Sequence, residues 1–166
     1  ETLGADIAEM VEAWGLKAVT ALGWSMGAMA LWAAAARLGD RLEAIIVEEM
    51  APRLTNDADW RFGISGGYAA GDIAATLSEI EADWPAYVAR FAPRMFAPAA
   101  RTKSPQLVEW ARSEMSNGDG RVMARFWASM AQQDFRARLS SIAAPMLVLH
   151  GAESQVYPDG ATAFVA

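Results

Sequence analysis

The stretch "TALGWSMGAMALW", residues 20–32, decides how the rest of the chain is read. It passes from a β-type run into an alanine-rich helical one, and a serine flanked by glycines stands at the join: Gly23-Trp24-Ser25-Met26-Gly27. A strand that runs straight into such a turn and out into a helix is the nucleophile-elbow arrangement. So sharp a turn holds its serine in a sparsely populated backbone conformation. Side chains two positions before and two after would collide across it, so Gly23 and Gly27 are expected there for want of a Cβ. The hydroxyl of Ser25 is then lifted clear at the N-terminus of the following helix, where unpaired N–H groups and the dipole favour a developing anion. The Met26 N–H is the expected oxyanion donor. Ten serines in a chain with 13 glycines would meet this pattern by chance only roughly 0.06 times, so it is informative.

Upstream, residues 2–14 put Leu3, Ile7, Met10, Val11 and Trp14 on one helical stripe, with Gly15 as the stop. "KAVTALG", residues 17–23, is a short strand, and "MGAMALWAAAARLGD", residues 26–40, a helix with Gly39 as its C-terminal signal. "LEAIIVEEM", residues 42–50, is a second strand whose run from Ala44 to Val47 is apolar on both faces, as in a parallel sheet. Strand, helix and strand with short joints make a right-handed βαβ unit. From about Pro52 to Arg138 no strand pattern stands out. Residues 56–72 form a loop, and helices are expected around 72–91, 104–116 and 119–134. "IAAPMLVLHG", residues 142–151, then supplies a buried strand introduced by Pro145. The expected fold is α/β: a parallel sheet flanked by helices, with an incomplete core from residues 1–53 and 139–166 and a helical cap at 54–138.

Composition narrows the function. A hydrophobic content of 54% and seven tryptophans predict a packed globule. The net charge of −6, with no basic stripe, argues against nucleic acid and anionic membranes as partners. The longest uncharged apolar run, residues 26–36, is too short to span a bilayer. There is no cysteine, which excludes a thiolate nucleophile and suits a cytoplasmic location. "NDADWRFG", residues 56–63, lacks the dense alternation and terminal glutamate of a calcium loop and reads as a capped turn, so no metal is expected. The chain has no initiator Met and stops inside what reads as a helix start, so a fragment of a longer protein is expected.

These residues resemble the middle of an α/β-hydrolase-fold protein, of the capped esterase, lactonase and haloperoxidase-like kind. The likeness rests on the elbow, on "ALGWSMGAMALWAAAARLGDRLEAIIVEEMAPR" at 21–53, on the helical insert and on "LSSIAAPMLVLHGAES" at 139–154. It implies the chain order nucleophile, acid, histidine, with the histidine after the last strand of the sheet and outside these residues. His150, the one histidine here, ends a strand where the family often carries a non-catalytic histidine, which implies a structural or pocket-rim role. The family's acid usually follows that strand. Here Gly151-Ala152-Glu153-Ser154-Gln155 sets Ser154 or Gln155 in its place, and neither carries the charge that steadies an imidazolium. Some relatives take the acid from the end of the strand after the elbow helix, where this chain has Glu48-Glu49. Glu49 is the first candidate, then Glu153, then Glu48; neighbouring strand residues face opposite ways, so only one of Glu48 and Glu49 can point at the site. The alternative is a pair of glutamates that are solvated or matched to Arg53. Trp24, beside the serine, is the best candidate for an apolar substrate pocket, and Trp60 and Trp127 join it against plain packing within the insert.

The implied reaction is hydrolysis of a carboxylic ester or lactone by Ser25, with no cofactor. The same elbow serves carbon–carbon bond hydrolysis and cofactor-free perhydrolysis. A reading of another class is a truncated, non-catalytic domain that binds a ligand or partner. The expected partner is a small-molecule ester or lactone, and bare sheet edges are expected to drive self-association.

Overall fold

The computed structural model describes residues 2–166. Along the chain run α1 (Thr2–Ala13), β1 (Val19–Trp24), α2 (Met26–Leu38), β2 (Leu42–Glu48), α3 (Asp72–Ala82), α4 (Trp84–Phe91), α5 (Pro98–Lys103), α6 (Pro105–Ser116), α7 (Gly120–Ala131), α8 (Arg136–Leu139), β3 (Met146–Leu149) and α9 (Asp159–Val165). They divide into two compact units. One holds the residues up to Arg53 with Asp134–His150 and Asp159–Ala166; the other holds Leu54–Gln133 and Gly151–Pro158.

The first unit is built on a parallel sheet of order β1-β2-β3, so the strand leading to Ser25 is an edge strand beside β2. The register aligns Gly23 with Val47 and Val47 with Val148, then Trp24 with Glu48 and Glu48 with Leu149. The three strands therefore end level. On one face of the sheet Gly23, Ile45 and Val47 are buried, and burial stabilises each of the two branched side chains by about 1.5–3 kcal/mol. The other face stays open: Leu22 is 59% exposed, Trp24 51% and Leu147 56%. The sequence explains α2 well. It is apolar nearly all round, buries Ala28, Met29, Leu31, Trp32, Ala34 and Leu38 among others, and ends where Gly39, at φ 52°, donates its N–H to Ala35 O. A helix that is apolar on every side belongs in a core.

The chain re-enters this unit at Asp134, five residues before the expected boundary at 139. Phe135 explains why: its N–H donates to Pro52 O at 2.9 Å and its ring lies 5.6 Å from that of Trp32. Residues 151–158 fall with the second unit instead. There Ser65 N–H donates to Val156 O at 2.8 Å, and the Gln155 side chain accepts from Arg101 Nη2 and donates to Phe96 O.

The second unit is helical. The single helix expected at 72–91 breaks at Asp83, which sits in extended backbone and caps α4 by accepting the Ala86 N–H at 2.9 Å. Pro85 in the first turn of α4 has no N–H to continue α3, which fixes the break. A short helix missed in the sequence, α5, begins at Pro98, and α6 begins at Pro105, both in the position where proline's fixed φ suits a helix start. Val88, Ala92 and Ala111 form a buried cluster, with Trp84 and Met115 packed against it; Trp84 Nε1–H donates to Met115 O at 2.7 Å. Among the described residues no helix is long and apolar enough to cross a membrane.

Candidate active site

Ser25 stands between β1 and α2 with φ 49° and ψ −120°. Left-handed φ in a residue with a Cβ costs about 1–3 kcal/mol, and such residues persist only where their surroundings hold them. Two bonds do so here. Ser25 N–H donates to Glu48 O at 2.9 Å, carrying the ladder one residue past the strand end, and Ser25 O accepts the Ala28 N–H at 2.9 Å, opening the helix. The first N–H groups of α2, at Met26 and Gly27, have no acceptor within the helix by construction.

The two glycines of the motif do different work. A Cβ on Gly23 would stand 2.6 Å from both Ala28 N and Gly27 C, so the helix can cross the strand only over a glycine. A Cβ on Gly27 would meet nothing within 4 Å. The expectation of a clash on both sides of the serine is thus corrected at Gly27. That residue already belongs to α2, and its Cβ direction leads off the helix into open space.

Glu49 is the other non-glycine residue with positive φ among the described residues, again 49°. It follows β2 as Ser25 follows β1, and its N–H donates to Leu149 O at 3.1 Å. His150 follows β3. Its ring is 12% exposed, with Nδ1 3.1 Å from Glu49 Oε1 and Nε2 3.0 Å from Asp159 Oδ1. The Nδ1 contact has the distance of an ion pair but not the alignment of a hydrogen bond. Ser25, Glu49 and His150 therefore occupy three neighbouring strand ends at the carboxyl edge of one sheet, the edge at which open α/β sheets bind ligands. Glu48 lies one residue earlier, in register with Trp24 and Leu149 on the open face.

The remaining candidates lie elsewhere. Glu153 is exposed and belongs to the second unit. Beside it the Ser154 hydroxyl accepts the Tyr157 N–H at 3.3 Å, so this segment is a hydrogen-bonded turn. Trp24 projects from the open sheet face of the first unit. Trp60 is 4% exposed in the second unit, edge-on to Phe62 at 5.4 Å. Trp127 donates its Nε1–H to Tyr68 Oη at 2.9 Å and packs edge-on against Tyr87 and Phe91. Burial pushes the Tyr87 phenol up to about 12, with Tyr68 adding to the rise. No group of three or more His, Asp or Glu side chains able to hold a metal occurs among the described residues. The sequence pointed to Ser25 and Glu49 but not to Asp159, an exposed aspartate with no motif around it.

No family model matches the sequence. The chain is 21% identical over 142 residues to a pimeloyl-[acyl-carrier protein] methyl ester esterase of Nitrosomonas europaea, covering 84% of this chain and 54% of that protein. Its backbone superposes on a hydrolase from Oleispira antarctica with a TM-score of 0.85 at 21% identity, over 98% of this chain and 57% of that one. With the enol-lactonase of Burkholderia xenovorans the TM-score is 0.83 at 19% identity, over 99% of this chain and 59% of the other. The chain carries the α/β-hydrolase fold. The chain spans little more than half the length of the relatives it matches.

Proposed function

We propose that the protein contributes the nucleophile to a serine hydrolase of carboxylic esters or lactones. The observation that carries this reading is the backbone of Ser25, at φ 49° and ψ −120° between a strand and the N-terminus of α2. In the reaction Ser25 Oγ bonds to the substrate carbonyl carbon while its proton passes to a base. The carbonyl oxygen takes up negative charge at the start of α2, where the Met26 N–H donates to it. The bond to the alcohol oxygen then breaks and the alcohol leaves with the proton; in a lactone it stays tethered. Water repeats the sequence on the acyl-serine and releases the acid. Glu49 orients the imidazole that serves as base. The family resemblance assigns that base to a histidine other than His150, whose Nε2, the nitrogen a triad turns to its serine, lies 3.0 Å from Asp159 Oδ1 instead.

The test uses a fluorophosphonate probe, which bonds to serine through phosphorus and loses fluoride, with free imidazole added as proton acceptor. Imidazole-dependent labelling of Ser25, lost in Ser25→Ala, is the expected result. Labelling that survives Ser25→Ala, or none at any imidazole concentration, refutes the assignment. Rapid ester turnover by the chain without imidazole makes His150 the base instead.

A further inference from the structure

We propose that His150 is a positioning residue, an imidazole buttress that holds the Glu49 carboxylate at the strand end next to Ser25, and that Asp159 in turn holds the buttress. The inference rests on the reading of Glu49 as the orienting acid and adds how that acid is fixed.

Glu49 follows β2 in strained backbone, and fixing the three side-chain torsions of a glutamate costs conformational entropy. Its main chain is tied on one side, where the Glu49 N–H donates to Leu149 O, and the preceding carbonyl of Glu48 accepts the Ser25 N–H. The residue that follows Leu149, just past the end of β3, is His150. The same ladder that pins the Glu49 backbone thus brings the imidazole against its side chain, at 3.1 Å. An ordinary strand-end histidine would turn to water; this one is 12% exposed.

The second carboxylate explains why the ring stays in place. Asp159 is 95% exposed, and an isolated pair of that kind contributes little. Its position in the chain is what matters. The chain leaves the first unit after His150 and re-enters it at Asp159, so the Nε2–Oδ1 contact at 3.0 Å closes the neck of the excursion formed by 151–158. A carboxylate oxygen thus stands within 3.1 Å of each ring nitrogen, from Glu49 at Nδ1 and from Asp159 at Nε2. A ring flanked on two sides and 12% exposed has little room to rotate about χ2, and that restriction is passed to Glu49.

The chain's single histidine gives a direct readout, since its ring nitrogens yield the only imidazole signals of the protein. In the 15N-labelled chain at neutral pH, Glu49→Gln should shift Nδ1 more than Nε2, and Asp159→Asn should do the reverse. An unmoved Nδ1 in Glu49→Gln overturns the buttress whatever Ser25 does. Function is read from imidazole-dependent fluorophosphonate labelling of Ser25. A displacement of 1 Å can cost up to 10²-fold in rate, so His150→Phe should slow labelling about 10-fold. His150→Gln, which keeps a donor, should recover most of that loss. Because the effect runs through Glu49, His150→Phe should add nothing in a Glu49→Gln background. Additive losses would make His150 merely structural. Labelling at Ser25 with His150→Phe unchanged sinks this inference and leaves the proposed function standing. Labelling absent from the wild-type chain sinks the proposed function, and the ring signals still decide the buttress.

Discussion

Gly23 and Gly27 flank the same serine, yet their replacement by alanine should give opposite results. At Gly23 the new Cβ would lie 2.6 Å from two backbone atoms, Ala28 N and Gly27 C, and 2.7 Å from Ala28 Cα. Ordinary contact begins at 3.4 Å, so strand and helix must part by nearly an ångström. Neither can move freely, since Val47 beside Gly23 and Ala28 above it are each 0% exposed. Overpacking a core costs about 1–3 kcal/mol when side chains can yield. Here backbone must yield, so the loss should reach the top of that range, about 3 kcal/mol, against total stabilities of about 5–15 kcal/mol. At Gly27 the Cβ meets open space within a helix, where alanine is favoured over glycine by about 0.5–1 kcal/mol. Urea unfolding followed by tryptophan fluorescence measures both. Gly23→Ala should lower the midpoint sharply, and Gly27→Ala should leave it unchanged or raise it. Equal destabilisation by the two variants would refute the crossing geometry of β1 and α2.

Three further outcomes follow from the same structure. Ser25→Gly should be more stable than Ser25→Ala by about 1 kcal/mol, since only glycine relieves a positive φ, and equal unfolding midpoints would contradict the strain assigned to the elbow. The open apolar sheet face should drive self-association of the isolated chain, visible in sedimentation velocity; Leu22→Lys with Leu147→Lys should return it to monomer, and a monomeric wild type would refute the expectation. Tyr87, raised from 10.0 to about 12 by burial, contributes stability that is fully present below pH 10 and is lost as pH climbs to about 12. Tyr87→Phe should flatten the fall in urea midpoint across that window, and an unchanged slope would show that Tyr87 does not titrate as its burial implies.

What the sequence disclosed is what local chemistry determines. The β1–α2–β2 unit was legible because its signals are contiguous: a β-type run, glycine at the crossing, an alanine-rich helix and Gly39 at φ 52°. The break in the helix at 72–91 was also written locally, as Asp83 followed by Pro85, but the apolar period runs through both and hid it. The boundaries near 134 and 151 were not legible, because they depend on partners far along the chain: Phe135 on Pro52, and Gln155 on Arg94 and Arg101. That Gly27 has room for a Cβ was not legible either, for a geometric reason. Which glycine the elbow requires depends on the path of the helix after the turn, and a five-residue motif does not contain that path.

The site divides in the same way. Ser25 can be found in a single window of sequence, whereas the contact of Glu49 with His150 needs β2 beside β3, a fact of topology. Strain joins the two. Ser25 and Glu49 share φ 49° at adjacent strand ends, and each costs about 1–3 kcal/mol. Glycine at either position would remove that cost, and elsewhere the chain does use glycine at positive φ, at Gly15, Gly39, Gly66 and Gly67. A strand end that served only to turn the chain would gain stability from the same choice. Keeping a hydroxyl and a carboxylate there, at that cost, sets both residues at one edge of the sheet, where His150 lies 3.1 Å from the carboxylate and Asp159 3.0 Å from the far side of the ring.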